Sequence, residues 1–442
     1  MQSKSKKKLI KRGDRILTEK PFVYVLHSKY RKERCDNCLA SGKLLKCSNC
    51  QYVFYCNRAC QMQSWMMHKH ECSSLKKICP RVVPDAARII FKIITKLASG
   101  GDLIKSYYTE TSFRRFKDLM SHYAELKNDP KRVEHLEALH SVLCELMEDK
   151  SVPNFSELMG IYGRLVTNGF NILDPEMNAI ATGIYLGVSV TDHSCKPNAV
   201  ATFEGTELHI HVTEDMEYLD WSKIFISYID LLNTPEQRRQ ELKDNYYFLC
   251  ICSKCIDPQE SIEMNGGVCR NKNCSEMVDM SLNNCSKCGT GISPKHRNTY
   301  NEVLAMTKHH LADMKDTTYL DICKMCLPRQ KGVLHPLSLW HVKTLDAAVE
   351  SAFSMNKWSD ALEFATQLLP GFRKYYGPWN PLLGLLYVKV AKLQLYEGFF
   401  KEAQHNLKEA FKIIEVTHGR DHSLYKDTLS SLMVQITYEL SK

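Results

Sequence analysis

Between residues 35 and 72 the chain spaces its metal-binding side chains as Cys35-x2-Cys38, Cys47-x2-Cys50, Cys56-x3-Cys60 and His68-x3-Cys72. Eight sulfur or imidazole donors in so short a stretch match two tetrahedral zinc sites, each of which takes four such ligands. The last two pairs stand at i, i+4, which puts each pair on one face of a short helix. His70 is a rival for His68, but its one-residue spacing to Cys72 fits a helix poorly. A segment this small cannot build a core without metal, so its folding should depend on zinc. The whole chain has 19 cysteines and a Lys-rich N-terminus without the apolar core of a secretory signal. That combination points to reduced thiols holding metal rather than to disulfides.

A length of 442 residues predicts two to four domains with ample core. The 44% hydrophobic and 25% charged shares are those of a globular protein. No 18-residue apolar run occurs, which excludes a membrane-spanning helix. The net charge of +9 resides entirely in the first 34 residues, where twelve Lys/Arg face three Asp/Glu. This head (Lys4, Lys6, Lys7, Lys8, Lys11, Arg12) has the chemistry to contact DNA, steer an acidic partner or act as a nuclear-import signal. A solvated basic tail is the competing reading.

Residues 9–27 read as two short strands around a Gly13-Asp14 turn. Residues 85–165 show helical i, i+3, i+4 apolar spacing, as in Ala86–Ile94 and Val133–Leu139, broken at Asp129-Pro130. Cys79 and Cys144 read as ordinary core thiols. A β-rich passage, Gly183–Val190, runs into Thr191-Asp192-His193-Ser194-Cys195-Lys196-Pro197-Asn198, and a second strand is expected over Lys223–Tyr228. Thr234 and Pro235 are the N-cap and first position of a further helix. Cys250-x1-Cys252-x2-Cys255 then supplies three ligands, one short of a tetrahedral site. Cys269-x4-Cys274 and Cys285-x2-Cys288 read as a small zinc ribbon on a surface insertion. Cys323-x2-Cys326 has zinc spacing, but with only His335 and His341 nearby it reads as helical and metal-free. From residue 291 the pattern is helical, with a 42-residue echo (Trp358/Phe400, Ala361/Ala403, Gly377/Gly419, Leu382/Leu424) of the kind helix-pair repeats produce. Such stacks make concave peptide-binding surfaces.

The order Asp192-His193-Ser194-Cys195-Lys196-Pro197-Asn198, Ile226-Ser227-Tyr228, then Cys250/Cys252/Cys255 resembles the C-terminal core of a SET domain, whose motif reads N-H-S-C-x-P-N. Residues 35–72 resemble a MYND zinc module. Together they resemble the SET and MYND domain-containing protein-lysine methyltransferases over nearly the whole chain. The resemblance implies an α+β multidomain fold: a knotted, β-rich SET core split by the finger and a helical insert, a post-SET zinc site, and an all-α C-terminal lobe like tetratricopeptide repeats. The implied boundaries are 1–34 for the SET N-lobe, 35–72 for the MYND finger, 73–165 for the insert and 166–231 for the SET core. Residues 232–256 are the post-SET zinc site, 257–290 the ribbon-like insert and 291–442 the helical lobe. The family's G-x-G strand has no counterpart before Gly13, so the N-lobe is expected to be incomplete, as in a chain truncated at its N-terminus.

The resemblance also implies the ligand sets. Cys35, Cys38, Cys56 and Cys60 hold one zinc, and Cys47, Cys50, His68 and Cys72 a second. Cys195 joins Cys250, Cys252 and Cys255 at a third, while the ribbon spacing, apart from the resemblance, makes Cys269, Cys274, Cys285 and Cys288 a fourth. The resemblance implies S-adenosyl-L-methionine as cofactor, contacted by Asn168, Asp192, His193, Tyr246 and Phe248. Tyr228 is the catalytic tyrosine at the methyl-transfer pore, and Phe170, Ser189, Tyr228 and Tyr246 line the substrate lysine channel. Two further departures are Asp192 where the motif has Asn, and Asp220-Trp221-Ser222-Lys223 where the family has G-E-E. The expected partner is a histone or other protein lysine, with proline-rich or other peptide ligands for the finger, in cytoplasm and nucleus. The alternative is a catalytically weak or inactive adaptor that recruits protein partners in transcriptional regulation through its finger and helical lobe.

Overall fold

The computed structural model describes residues 9–147, 152–314 and 319–442; Lys4, Lys6, Lys7 and Lys8 of the basic head lie outside them. Two units divide the chain. The first takes everything up to Asp192, then Ala199–Phe225 and Lys243–Phe248, and the second takes His193–Asn198, Ile226–Leu242 and Leu249–Lys442.

In the first unit, β1 (Arg15–Glu19) and β2 (Val23–Leu26) flank Lys20-Pro21. They do not form a hairpin around Gly13-Asp14. The turn precedes β1, and β1 and β2 join different sheets. The cysteine module holds a hairpin of β3 (Leu45–Lys46) and β4 (Phe54–Tyr55) and the helix α1 (Arg58–Ile78). Asn57 caps α1 by accepting the Cys60 N–H at 2.9 Å, one of the orphan donors at any helix start. The insert contains α2 (Asp85–Ala98), α3 (Tyr123–Lys127), α4 (Pro130–Met147) and α5 (Phe155–Asn168). The expected break at Pro130 is where α4 begins. Between α2 and α3 lies a small hairpin, β5 (Ser106–Tyr107) with β6 (Phe113–Arg114), in a stretch expected to be helical. One core runs from Cys35, Cys47 and Cys50 through Ile89, Ile90 and Ile93 of α2 to Leu143 of α4 and Leu158 of α5.

The chain then makes β7 (Gly169–Leu173), β8 (Ala179–Ile184), β9 (Asp192–His193), β10 (Ala199–Glu204), β11 (Glu207–Val212) and β12 (Phe225–Ile226). Two three-stranded antiparallel sheets form in this unit, in the orders β2-β8-β7 and β1-β11-β10. The strand expected over Gly183–Val190 stops at Ile184 and gives way to a 3-10 turn at Val188–Val190. The cause is Glu19: its carboxylate accepts the Gly187 N–H at 3.0 Å, the Val188 N–H at 2.8 Å and the Ser106 hydroxyl at 2.6 Å. Those amide hydrogens are therefore lost to a sheet ladder. Likewise only Phe225–Ile226 of the second expected strand is extended in a ladder.

The second unit opens its helices with α6 (Pro235–Tyr246), of which residues through Leu242 belong to it. Thr234 Oγ1 accepts the Gln237 N–H at 3.2 Å while Gln237 Oε1 accepts the Thr234 N–H at 3.0 Å, a reciprocal capping box. Next come α7 (Ser253–Ile256), α8 (Pro258–Met264), and a two-stranded ribbon of β13 (Gly267–Val268) and β14 (Met277–Val278). The helical stack follows: α9 (Pro294–Asp313), α10 (Leu320–Gln330), α11 (Leu339–Ser354), α12 (Trp358–Tyr376), α13 (Pro381–Tyr396), α14 (Phe400–Thr417) and α15 (Ser430–Ser441). The sequence echo has a structural counterpart. Trp358 and Phe400 start α12 and α14, Ala361 and Ala403 are fully buried, and Gly377 and Gly419 follow the helices at φ 84° and 82°, a backbone region that favours glycine. Cys323 and Cys326 lie buried within α10, where burial pushes the Cys323 thiol up to about 12.

Asp346 of α11 is held up at about 7, mainly by burial and also by Glu350 and Asp230, against the pull of Lys389 and Lys343. An unfolded Asp ionises near pH ~3.9, so the penalty for charging Asp346 in the fold is absent below that pH, grows towards pH 7, and is full above it. Asp346→Asn is therefore expected to raise the melting temperature at pH 8 and leave it unchanged at pH 4. Equal shifts at both pH values would contradict this.

Candidate functional site

Four groups of donor atoms converge, each with all its ligand atoms within 4.8 Å of one another: Cys35/Cys38/Cys56/Cys60, Cys47/Cys50/His68/Cys72, Cys195/Cys250/Cys252/Cys255 and Cys269/Cys274/Cys285/Cys288. Tetrahedral zinc with Zn–S near ~2.3 Å sets sulfurs about 3.8 Å apart. The observed edges bracket that value: Cys38–Cys56 at 3.7 Å, Cys47–Cys72 at 3.9 Å, Cys195–Cys255 at 3.4 Å and Cys274–Cys285 at 3.9 Å. His68, rather than His70, turns Nε2 to Cys50 Sγ at 3.6 Å. These are the interleaved sets that the spacing and the resemblance led us to expect, with Cys195 as the distant fourth ligand.

Behind His68 lies a buried charge network. Glu71 Oε1 stands 3.2 Å from His68 Nδ1, which orients the ring as a carboxylate behind a metal-bound histidine does. Arg88 of α2 donates to Asp36 at 2.8 and 2.9 Å and to Glu71 at 2.7 and 2.9 Å. Lys92 Nζ donates to the Tyr24 carbonyl at 3.2 Å and stands 3.9 Å from Glu71. None of Asp36, His68, Glu71, Arg88 or Lys92 is more than 7% exposed, so α2 is joined to the finger by ionic contacts that water does not screen.

The cluster around Cys195 has its own counter-ion. Arg238 of α6 is fully buried and donates to the Asn233 carbonyl at 2.7 Å, with Cys255 Sγ at 3.9 Å. A zinc tetrathiolate carries net negative charge, and a buried guanidinium beside it offsets that charge.

His193 and Tyr228 meet in the same unit. The Tyr228 N–H donates to His193 Nδ1 at 3.0 Å, the two ring centroids are 5.3 Å apart, and His193 Nε2 faces Cys195 Sγ at 3.3 Å. Burial pushes His193 down to about 4, leaving a neutral ring with Nδ1 as acceptor. The imidazole therefore connects the Cys195 sulfur to the backbone of Tyr228. The Ser194 N–H donates to the Ile226 carbonyl at 3.0 Å and the Ser227 hydroxyl to the Ile229 carbonyl at 2.8 Å, fixing both approaches to Tyr228.

The remaining expected site residues belong to the first unit. Asn168 ends α5, and its amide donates to the Met120 carbonyl at 2.8 Å and the Arg164 carbonyl at 2.9 Å, leaving only Oδ1 free of those bonds. Phe170 meets Tyr185 edge-on at 5.8 Å, and Tyr185 meets Phe203 at 6.0 Å. The Ser189 hydroxyl donates to the Leu186 carbonyl at 2.5 Å, while Arg114 Nη1 donates to the Ser189 carbonyl at 2.9 Å. Asp192 is exposed, and Tyr246 and Phe248 are half-buried. Between those two, Tyr247 takes φ 59° and reaches Asp129 at 3.3 Å with its hydroxyl.

Comparison with known proteins now has a geometry to attach to. The MYND finger family matches residues 35–72, the two interleaved ligand sets. Human histone-lysine N-methyltransferase SMYD3 is 29% identical over 423 residues, covering 94% of this chain and 91% of the relative. Bovine N-lysine methyltransferase SMYD2 is 27% identical over 418 residues, covering 93% and 90%. Arabidopsis thaliana histone-lysine N-methyltransferase ASHR1 is 25% identical over 438 residues, covering 95% and 90%. The chain is thus similar along nearly its whole length to lysine methyltransferases that include SMYD3 and SMYD2, and it carries a MYND finger. Zinc is accordingly the ion its MYND finger takes.

Against this family background, several structural residues went unread in the sequence. Glu19, Arg88, Arg114 and Arg238 are charged side chains within otherwise unremarkable stretches. The one signal available for Arg88 was its position on the apolar face of α2, between Ala87 and Ile89.

Proposed function

We propose that this chain is an S-adenosylmethionine-dependent protein-lysine N-methyltransferase acting on histone or non-histone lysines, with a knotted SET core and a lobe like tetratricopeptide repeats. The observation that carries this is similarity to named lysine methyltransferases along 93–95% of its length, joined to the arrangement of His193 and Tyr228. When bound, the cofactor supplies an electrophilic methyl group. The donor set suits its amino-acid end: Asn168 Oδ1 and the exposed Asp192 carboxylate are both acceptors for an ammonium. His193 offers backbone groups, and Tyr246 and Phe248 offer ring faces for the adenine.

The chemistry asked of the protein is positioning. A substrate lysine is protonated at neutral pH, since its ordinary pKa is about 10.4. A channel walled by Phe170 and Ser189 disfavours the ammonium and releases the proton. Tyr228, pinned through its own N–H to a neutral His193, would use its hydroxyl to orient the lysine amine for transfer. Thiols that must stay reduced to hold zinc support a setting in cytoplasm and nucleus for this activity.

Titration calorimetry of zinc-loaded protein with S-adenosylmethionine and S-adenosylhomocysteine tests the proposal, and micromolar binding of both is the expected result. No binding to folded protein would sink the enzyme reading. The adaptor reading would then rest on the finger helix, whose Met62, Trp65 and Met66 are 66%, 45% and 71% exposed, an apolar face open to a proline-rich or other peptide.

A further inference from the structure

The four ribbon cysteines lie outside the matched finger and away from the cluster beside Tyr228. The sequence placed them on a surface insertion, but their surroundings are those of a core. Cys269 and Cys285 are buried in one cluster with Val278, Met280, Tyr300, Leu334 and Trp340, which joins the ribbon to α9 and α11. The backbone is stitched to the segment before α11: the Val268 N–H donates to the Val333 carbonyl and the His335 N–H to the Gly266 carbonyl, both at 3.0 Å. Neither Gly266 nor Gly267 has room for a side chain. A Cβ at Gly266 would fall 1.9 Å from Met277 Cγ, and one at Gly267 2.7 Å from Met280 Sδ. Asn265 is held by the Tyr300 hydroxyl and, at 2.9 Å, by Trp340 Nε1. His296 in the first turn of α9 is 2% exposed with neither ring nitrogen bonded, and burial, with Arg270 of the ribbon, favours its neutral form.

This tight seat is built from very little regular structure. Between Cys269 and Cys288 the one strand is the two-residue β14, paired with the equally short β13, and so small a hairpin does not stand alone in water. The sulfurs close the gap: Cys269 and Cys288 are 3.5 Å apart and Cys274 and Cys285 3.9 Å apart, the edges of a zinc tetrathiolate. Among the residues of the four ligand groups, Cys288 alone is exposed.

We propose that Cys269, Cys274, Cys285 and Cys288 hold a zinc ion that is a structural member of the helical unit, seating the ribbon on α9 and α11, and that this is the first ion the protein surrenders. An incoming chelator begins by displacing one thiolate, and Cys288 is the ligand it can reach from solvent. The other three groups present only buried or half-buried donors.

Metal analysis and chelator competition on the full chain test this without reference to methyl transfer. Zinc-loaded protein is expected to contain four zinc ions, one for each ligand group, and to release one equivalent to 4-(2-pyridylazo)resorcinol in a separate fast phase. The Cys269→Ser/Cys285→Ser double variant should lack that ion and that phase. Hydrogen exchange on wild-type protein, taken after the fast phase, should show protection lost over residues 266–300 and 333–340 while α1 and α2 keep theirs. Three zinc ions in the wild type, a fast phase surviving in the double variant, or unchanged exchange at the ribbon would each overturn the proposal. Should the double variant fail to fold, the wild-type exchange experiment decides alone.

Discussion

Tyr228→Phe is expected to lower single-turnover methyl transfer by about 10²–10³-fold, the usual cost of losing one preorganised hydrogen-bonding group from a transition state. Cofactor affinity should change little, because the backbone N–H that anchors Tyr228 to His193 at 3.0 Å is untouched by the substitution. The ring contact at 5.3 Å also survives. A loss confined to the turnover rate, with calorimetric binding intact, would identify the hydroxyl as a group acting only during transfer. Near-normal turnover in the variant would remove Tyr228 from the mechanism.

Arg88→Met is expected to destabilise the finger and its adjoining helix by about 3–5 kcal/mol, the range seen when one member of a buried ionic network is removed. Methionine fills much of the volume, so the effect reports charge rather than a cavity. Asp36 and Glu71 would then be buried with Lys92 as their one remaining cation of the network, and Glu71 would lose the partner that fixes it behind His68. Native-state hydrogen exchange over α1 and α2 measures the change locally, without treating a chain of two units as a two-state folder. A change below about 1 kcal/mol would place the network with surface ion pairs of little consequence.

The sequence was most legible where chemistry constrains spacing. Sixteen ligand residues, including Cys195 fifty-five positions ahead of Cys250, converge as expected, because a tetrahedral ion tolerates few spacings and no substitutes. The N-cap at Thr234 and the break at Asp129-Pro130 were likewise local statements, decided within a few residues. What stayed hidden depended on distant partners. The strand that ends at Ile184 does so because Glu19, far away in sequence, takes the Gly187 and Val188 amide hydrogens. The hairpin at Ser106–Arg114 has strands of two residues, too short for alternation to register. Arg88 and Arg238 look like solvated charges in any periodicity argument, and only the fold shows the carboxylates and thiolates that keep them buried. The amide hydrogens of Asn168 serve the Met120 and Arg164 carbonyls, a use no pattern announces.

The division of the chain has a consequence for anyone who would dissect it. The polypeptide passes between the two units at Asp192/His193, Asn198/Ala199, Phe225/Ile226, Leu242/Lys243 and Phe248/Leu249. No single cut in the gene therefore yields either unit whole: a fragment ending at Asp192 lacks β10 and β11, and one starting at Leu249 lacks Cys195 and Tyr228. A ribosome meets the same constraint, since the first unit is unfinished until Phe248 has emerged. By then Cys195, in the six residues that begin at His193, is still waiting for Cys250, Cys252 and Cys255.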